Sequence, residues 1–240
     1  MACDCWTEDV WRYVHSMAQT NAATTLKEKE AFVCMVACIN ELISCEEVKL
    51  AVDTFMRENP FVNHCSSSDT IFMWTVNLRQ AVDEKLGKPV LTLSHLSDVF
   101  ARNKIGKDVW GPMAWKVMHM VALCAKTVPV PGGKPELPRS TRTALKAFVT
   151  CVLLLLPCPK CKKHAWEYCQ KVAPNIDDYL TTNLHAFQWT VEFHNTVNRR
   201  LNSTEGHRKP ILSANDALGL YVTLPPNADF SSSFKPMRLD

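Results

Sequence analysis

The strongest constraint on the fold is an internal repeat of aromatic and histidine positions. The pattern W-x4-W-x3-H-x2-A begins at Trp6 and returns at Trp110, with every position shifted by 104 residues. The pattern F-x-W-T-V begins at Phe72 and returns at Phe187, shifted by 115 residues. Because the matches keep their order, they predict two copies of one structural unit; the alternative is a coincidence among periodic apolar positions. The proline- and glycine-rich segment 128–138 accounts for the extra length of the second copy and is predicted to be a loop.

Helices alone are predicted for both copies. No segment shows the alternation of apolar and polar residues that is typical of strands, and 47% hydrophobic residues are enough to fill a core. Pro157 is expected to end one helix, and Pro159 suits the first position of the next. None of the seven glycines stands in a dinucleotide-binding or P-loop arrangement, so a nucleotide cofactor would have to be held by side chains on helices. The second copy is predicted to form helices at about 112–127, 140–156, 159–172, 177–202 and 214–220.

The repeat divides the chain into three parts. We predict a first domain over residues 1–103, a second over 104–222, and a loosely ordered tail over 223–240 that contains three consecutive serines. A net charge of +3 is too small to indicate nucleic-acid binding, and no apolar run approaches the roughly 18 residues of a membrane span. Because the N-terminus also lacks a signal-peptide pattern, we expect a cytoplasmic protein with neither nucleic acid nor membrane as partner.

A C-x-x-C motif between two prolines indicates redox or metal chemistry. Cys158 and Cys161 stand at the expected start of a helix, where their Cα atoms can reach the roughly 4.4–6.8 Å separation of a disulfide. The unpaired amides of the helix N-terminus and the nearby Lys160, Lys162 and Lys163 favour the thiolate form. The pair is therefore predicted to be catalytic, cycling between dithiol and disulfide.

Zinc binding is the alternative for the same segment. Cys158, Cys161, His164 and Cys169 are all possible ligands. They would lie on one helix, however, at spacings that spread them too far along its axis to close a tetrahedron. No metal is therefore predicted. Eleven cysteines without a secretory signal do not indicate a disulfide scaffold either.

Two further groups of side chains suggest a bound cofactor. Trp115 and His119 stand one helical turn apart and project in the same direction. His194, Asn195 and Asn198 form the polar middle of a helical stripe whose ends are apolar. Buried imidazoles and amides need hydrogen-bond partners, which a cofactor with ring nitrogens, ribose hydroxyls and phosphates would provide. A polar network between helices is the alternative.

These three motifs together resemble the Erv/ALR family of FAD-linked sulfhydryl oxidases, particularly the versions carried by large DNA viruses. The resemblance covers residues from about 109 to 220 and includes W-G-P-x-x-W-x-x-x-H, P-C-x-x-C and F-H-N-x-V-N-x-x-L in that order. It implies a bundle of four helices with a short fifth in each copy, and FAD as cofactor. Electrons would pass from protein or small-molecule thiols through the dithiol and FAD to oxygen, giving hydrogen peroxide.

The resemblance also implies roles for individual residues. Cys161 would be the cysteine next to the flavin, and Cys158 the one that a substrate thiolate attacks. The implied FAD contacts are Gly111, Trp115, His119, His194, Asn195, Asn198 and Lys209. One family feature is absent: Val191 and the residues around Leu212 occupy the positions at which many members carry a structural disulfide. Tertiary packing would have to replace it.

The first copy lacks the residues of the predicted site. Leu42 and Cys45 align with the two active cysteines, so no dithiol can form there, and R-Q-A-V-D at residues 79–83 replaces the H-N-x-V-N pattern. Trp6, Trp11 and His15 remain. We therefore predict a degenerate first copy without FAD, packed on the second as an internal pseudodimer, with a homodimer of two chains as a further possibility.

Some alternatives stay open at this point. A zinc-binding helical interaction module and a helical adaptor without enzymatic activity are the other function classes. Cys3 and Cys5 form a C-x-C near a chain end that could relay electrons from bulky substrates, although two incidental thiols are the simpler interpretation. For a viral chain, the expected location is the cytoplasm of the infected cell or the virion.

Overall fold

Ten α-helices account for most of the residues that the computed structural model describes, which are 6–20, 25–43, 45–89, 107–172 and 175–222. In the first copy these are α1 (Glu8–Thr20), α2 (Leu26–Ile43), α3 (Glu46–Glu58) and α4 (Ser68–Lys85), with a 3-10 turn over Phe61–His64. In the second copy they are α5 (Lys107–Cys124), α6 (Arg139–Leu155), α7 (Pro159–Val172), α8 (Ile176–Tyr179), α9 (Asn183–Thr204) and α10 (Ala214–Leu218). Apart from one bridge between Val128 and Glu136, these residues form no β-structure. The predicted all-α class is confirmed.

Prolines and hydroxyl caps set several of the helix ends. Pro159 begins α7 as predicted, at a position where its missing N–H is not needed. The prediction of one helix over 177–202 was wrong, because α8 ends at Tyr179 and a new helix begins at Asn183. Thr182 accounts for the break: its hydroxyl accepts a hydrogen bond from the His185 amide at 3.1 Å, which caps the N-terminus of α9.

The loop predicted at 128–138 is confirmed. Val128 and Glu136 exchange two backbone hydrogen bonds, of 2.8 and 3.0 Å, which close the loop on itself. Gly132 turns the chain between them with a φ of 70°, in the left-handed region that glycine adopts without strain. Beyond the bridge, the amide of the buried Leu137 donates to the Thr181 carbonyl at 2.9 Å, which ties the loop to the segment before α9.

Several predictions concern residues outside the described ranges. These are the domain boundary near 103, the fifth helix expected in the first copy, the tail at 223–240, and the cysteine pair at positions 3 and 5. Among the described helices, none is long and apolar enough to cross a membrane.

The chain packs as two compact units. The first comprises Met1–Val117 and Ala144–Lys162, and the second Met118–Thr143 and Lys163–Asp240. The first unit thus combines the first copy with the beginning of α5, the end of α6 and the first turn of α7.

Two ion pairs join the copies inside the first unit. Lys116 on α5 contacts Asp9 on α1 at 2.7 Å, and Lys162 on α7 contacts Glu28 on α2 at 2.8 Å. Asp9 and Glu28 belong to the first turns of their helices, where a carboxylate is also stabilised by the helix dipole.

The repeat is visible in the atomic detail of the two copies. In the first, His15 Nδ1 lies 2.8 Å from Thr75 Oγ1, and that hydroxyl donates to the Phe72 carbonyl at 2.7 Å. In the second, His119 Nδ1 lies 2.8 Å from Thr190 Oγ1, which donates to the Phe187 carbonyl at 2.7 Å. The phenylalanine ring meets the imidazole edge-on in both, with interplanar angles of 66° and 67°. The same hydrogen bond therefore joins the first helix of each copy to its last long helix.

Removing either threonine hydroxyl should destabilise the protein. In Thr75→Val and Thr190→Val, a buried imidazole loses this hydrogen bond while the side-chain volume is kept, so we expect a loss of about 1–3 kcal/mol in the free energy of unfolding. Urea denaturation followed by circular dichroism measures it. Thr150→Val is the matched control, because the Thr150 hydroxyl is exposed and bonds only its own helix, to the Lys146 carbonyl. A loss as large in the control would contradict the structural role of the buried pair.

Candidate active site

The two cysteines of the C-x-x-C motif are joined at the beginning of α7. Cys158 immediately precedes the helix and Cys161 lies in its first turn. The structure links them in a disulfide with a Cα–Cα separation of 5.1 Å, and both residues are half-buried. They lie in the first compact unit, at the junction that Pro157 and Pro159 create.

The N-terminus of α7 stabilises negative charge on sulfur. The Cys161 amide donates a hydrogen bond to Cys158 Sγ at 3.1 Å, so the sulfur takes the place of an N-cap oxygen. The Lys162 amide donates to the Cys158 carbonyl at 2.9 Å, which closes the first turn. Since the first turn of α7 contains no acidic residue, the positive end of the helix dipole is not offset within the helix.

One charged partner of this turn comes from the first copy and was not expected from the sequence. Glu28 Oε1 pairs with Lys162 Nζ at 2.8 Å, and its other oxygen accepts from the Thr25 hydroxyl at 3.0 Å. The Glu28 side chain is only 16% exposed. The charge of Lys162 is therefore offset by Glu28, and Lys163 also has a carboxylate partner in Glu167 at 4.0 Å, so this turn is less cationic than its three lysines suggest.

A chain of buried polar groups leads to His194 in the second unit. The Thr190 hydroxyl donates its proton to the Phe187 carbonyl. It can therefore only accept a hydrogen bond from His119, so the hydrogen of that bond is on His119 Nδ1. The other ring nitrogen of His119 then accepts from His194 Nδ1 at 3.2 Å. The two imidazoles also stack, with ring centroids 5.5 Å apart. This order of donors leaves Nε2 as the acceptor nitrogen of His194.

Both imidazoles are neutral near pH 7. Burial, and then the neighbouring His194, lower the pKa of His119 to about 3. Burial, and then the charge of Lys209, lower the pKa of His194 to about 4. The pair thus offers hydrogen bonding without positive charge.

Three asparagines on one face of α9 hold the chain that follows the helix. Asn195 exchanges hydrogen bonds of 2.8 and 3.1 Å with the backbone of Leu212, and Asn198 donates to the Pro210 carbonyl at 2.9 Å. Asn202 likewise exchanges hydrogen bonds of 2.9 and 2.7 Å with the backbone of Lys209. The polar stripe thus pins the segment 209–212 by side-chain to backbone bonds. The sequence pattern had not predicted a role for Asn202, although its spacing continues that of Asn195 and Asn198.

The remaining predicted residues lie on α5 and on the segment after α9. Gly111 has open space beside it, since an added Cβ would meet no atom within 4 Å. Trp115 is half-buried one turn further along α5, and Lys209 is exposed. Open space and a half-buried indole are compatible with a flat aromatic ligand at this helix.

The first copy fills the equivalent of the His194 position with a buried cation. Arg79 pairs with Glu8 at 2.6 Å and with Asp83 at 3.3 Å, and its guanidinium lies 5.8 Å from the centre of the Trp11 ring. Burial, and then the charge of Arg79, lower the pKa of His15 to about 3. An ion-paired network therefore stands where the second copy has its neutral imidazole pair.

The zinc alternative gains no support from this geometry. Two of its four ligands, Cys158 and Cys161, are bonded to each other. His164 and Cys169 lie further along the same helix, as their spacing predicted. In the described part of the chain, no three His, Cys, Asp or Glu side chains form a group able to hold a metal ion.

Comparison with known proteins places the chain in a family. The Erv1/Alr family model matches it twice, over residues 8–105 and 112–215. The chain therefore belongs to the Erv1/Alr family and contains two copies of the family's domain. Relatives include the "FAD-linked sulfhydryl oxidase" of African swine fever virus (isolate Warthog/Namibia/Wart80/1980), which is 31% identical over 113 residues, 47% of this chain and 79% of the relative.

A second relative comes from another large DNA virus. The "Putative FAD-linked sulfhydryl oxidase 347L" of Invertebrate iridescent virus 6 is 29% identical over 111 residues, which are 45% of this chain and 87% of the relative. Each relative thus aligns with about half of the chain. No solved structure matches the chain significantly.

Acid should destabilise the protein through its buried histidines. The pKa values of His15 and His119 are about 3 in the folded chain, against about 6.5 in the unfolded chain. Between these values the unfolded chain binds protons that the folded chain does not, so stability falls as the pH is lowered through this window. We expect each histidine to cost about 2 kcal/mol between pH 7 and pH 5.

Urea denaturation at the two pH values tests this expectation. His119→Gln should lose less stability between pH 7 and pH 5 than the wild type, whereas His207→Gln, at an exposed position, should lose as much. An unchanged pH dependence in His119→Gln would show that this imidazole is protonated in the folded protein.

Proposed function

We propose that the protein is an FAD-dependent sulfhydryl oxidase that forms disulfides in substrate thiols through Cys158 and Cys161. The observation that carries this proposal is the disulfide at the N-terminus of α7, with the Cys161 amide directed at Cys158 Sγ. Membership of the Erv1/Alr family and the names of the relatives support the same activity.

The chemistry begins with thiol–disulfide exchange. A substrate thiolate attacks Cys158 Sγ, which forms a mixed disulfide and releases the Cys161 thiolate into the first turn of α7. A second substrate thiolate then attacks the substrate sulfur of the mixed disulfide, and Cys158 leaves as a thiolate. The amide of Cys161 stabilises that leaving group, because it already donates to Cys158 Sγ. The substrate ends with one disulfide, and the enzyme with two reduced cysteines.

The side chains that the family resemblance assigns to a flavin are suited to such a cofactor when each is considered by its own chemistry. FAD, when bound, would supply the two-electron oxidation of the dithiol, with oxygen as the expected final acceptor and hydrogen peroxide as the expected product. Gly111 leaves room on α5, and Trp115 provides an aromatic face. His119 and His194 provide neutral hydrogen-bonding groups, and Lys209 a cation for the phosphates. Asn195 and Asn198 would act mainly by holding the segment 209–212, since their amides bond its backbone.

Serine in place of either active cysteine should abolish turnover. Cys158→Ser and Cys161→Ser each remove one half of the electron-accepting disulfide, so we expect at least about a thousandfold less oxygen consumption with dithiothreitol. The helical circular dichroism spectrum and the bound FAD should be unchanged, because the cysteines conduct electrons and do not hold the cofactor. Cys124→Ser is the matched control and should keep full activity. Persisting turnover in either active-site variant would rule out the proposed electron path.

The purified chain should be yellow and contain one FAD. The first copy lacks a dithiol, and Arg79 replaces the residue equivalent to His194, so binding is expected in the second copy alone. Absorbance of the flavin released on denaturation gives the ratio of FAD to chain. His194→Ala should lower this ratio about tenfold at limiting FAD, because one lost hydrogen bond is worth about 1.4 kcal/mol, whereas Arg79→Ala in a still-folded protein should not. A ratio near two would show that the first copy also binds, and a colourless protein that releases zinc would favour the interaction module.

A further inference from the structure

A carboxylate of the first copy is fixed beside the first turn of the dithiol helix. Glu28 Oε1 accepts a hydrogen bond from Lys162 Nζ at 2.8 Å, and Glu28 Oε2 accepts one from the Thr25 hydroxyl at 3.0 Å. The Glu28 amide in turn donates to Thr25 Oγ1 at 3.2 Å. The start of α2 thus holds this carboxylate in place. Glu28, Lys162 and both active cysteines all belong to the first compact unit.

Lys162 follows Cys158 by one helical turn. The two residues are four apart in the chain, and the Lys162 amide donates to the Cys158 carbonyl at 2.9 Å. Side chains on an α-helix are tilted towards its N-terminus. The Lys162 side chain therefore extends from α7 towards the end of the helix at which Cys158 Sγ accepts the Cys161 amide.

Charge at this end of the helix bears on the stability of the reduced dithiol. The disulfide is uncharged, whereas the reduced pair can ionise to a thiolate. A neighbouring cation stabilises a thiolate, and a neighbouring anion destabilises it. A more stable thiolate makes the reduced pair more stable, and the disulfide then becomes a stronger oxidant. A charge beside Cys158 therefore changes the reduction potential of the pair.

Glu28 and Lys162 are less exposed to solvent than the next ion pair along α7. Their side chains are 16% and 32% exposed, so water and salt screen their charges only in part. Lys163 pairs with Glu167 at 4.0 Å, and those side chains are 76% and 51% exposed. Exposed ion pairs contribute little. The pair between Glu28 and Lys162 should therefore have the larger electrostatic effect on this turn.

We propose that Glu28 lowers the reduction potential of the Cys158–Cys161 pair by neutralising Lys162. Glu28 is a positioning residue in this role, since it acts through the lysine. The first copy, which has no dithiol of its own, then sets how readily the dithiol of the second copy gives up its electron pair. This inference rests on the proposed oxidase function for its purpose, because a less stable dithiol passes electrons more readily to an acceptor.

Equilibration with glutathione measures the potential. The full-length protein is incubated without oxygen at graded ratios of reduced to oxidised glutathione, and free thiols are trapped by alkylation. Mass spectrometry of the peptide that contains Cys158 and Cys161 gives the reduced fraction. In this exchange one protein disulfide and two glutathione thiols become one protein dithiol and one glutathione disulfide.

The two single variants should shift this equilibrium in opposite directions. Glu28→Gln should favour the dithiol by about fivefold, or roughly 20 mV, because Lys162 then keeps its full charge. Lys162→Met should favour the disulfide, because the Glu28 carboxylate loses this cation. The double variant removes both charges and should return to within about twofold of the wild type. Lys162→Arg keeps the charge and should also remain close to the wild type.

The other ion pair between the copies provides the matched control. Asp9→Asn breaks the contact of Asp9 with Lys116 on α5 and should leave the glutathione equilibrium unchanged. Circular dichroism establishes that each variant is folded. Either single variant suffices if the other does not fold, because each has its own predicted direction.

Two results would overturn the proposal. One is an equilibrium that does not change in Glu28→Gln or in Lys162→Met. The other is a shift in the same direction in both, which a general loosening of the helix start would produce. The measurement needs neither the flavin nor oxygen. Oxygen consumption with dithiothreitol is recorded separately, and its absence would refute the proposed oxidase activity without altering the measured shift.

Discussion

In each copy a buried imidazole is hydrogen-bonded through Nδ1 to a threonine on the last long helix. This hydrogen bond determines which nitrogen of the imidazole donates and which accepts. The threonine hydroxyl gives its proton to a backbone carbonyl, so it can only accept from the histidine. This fixes Nδ1 as the protonated nitrogen and leaves Nε2 as an acceptor. The residue one turn beyond the threonine then differs between the copies. That residue is Arg79 in the first copy and His194 in the second.

The two copies use this shared framework differently. His194 continues the chain of neutral hydrogen bonds and leaves the second copy suited to a polar, aromatic cofactor. Arg79 instead introduces a buried cation, which requires Glu8 and Asp83 as partners and the face of Trp11 beside it. A buried ion pair recovers its desolvation cost only when its geometry is well satisfied. The first copy thus keeps the histidine–threonine hydrogen bond, while Arg79, at the position equivalent to His194, forms ion pairs within the protein.

Cysteines in this chain acquire their chemistry from their position. Cys158 accepts a backbone N–H at a helix N-terminus, where charge on sulfur is favoured. Cys151 is buried in α6, and burial raises its pKa. The first copy takes part in the surroundings of the dithiol, since Glu28 offsets the charge of Lys162 beside it. A copy without a dithiol can therefore still influence the redox chemistry of the chain.

Much of this protein was determined by local sequence. The repeated tryptophan and histidine positions identified two helical copies, and Pro157 with Pro159 placed the dithiol at a helix start, because these features act through backbone geometry and short-range periodicity. Tertiary structure alone decided which partners the polar residues take. The asparagines of α9 bond a returning backbone segment, Thr182 interrupts a helix that periodicity had predicted as continuous, and Glu28 reaches a lysine 134 positions away. Hydrogen bonds and ion pairs depend on distances between residues far apart in the chain, and those distances exist only once the helices have packed.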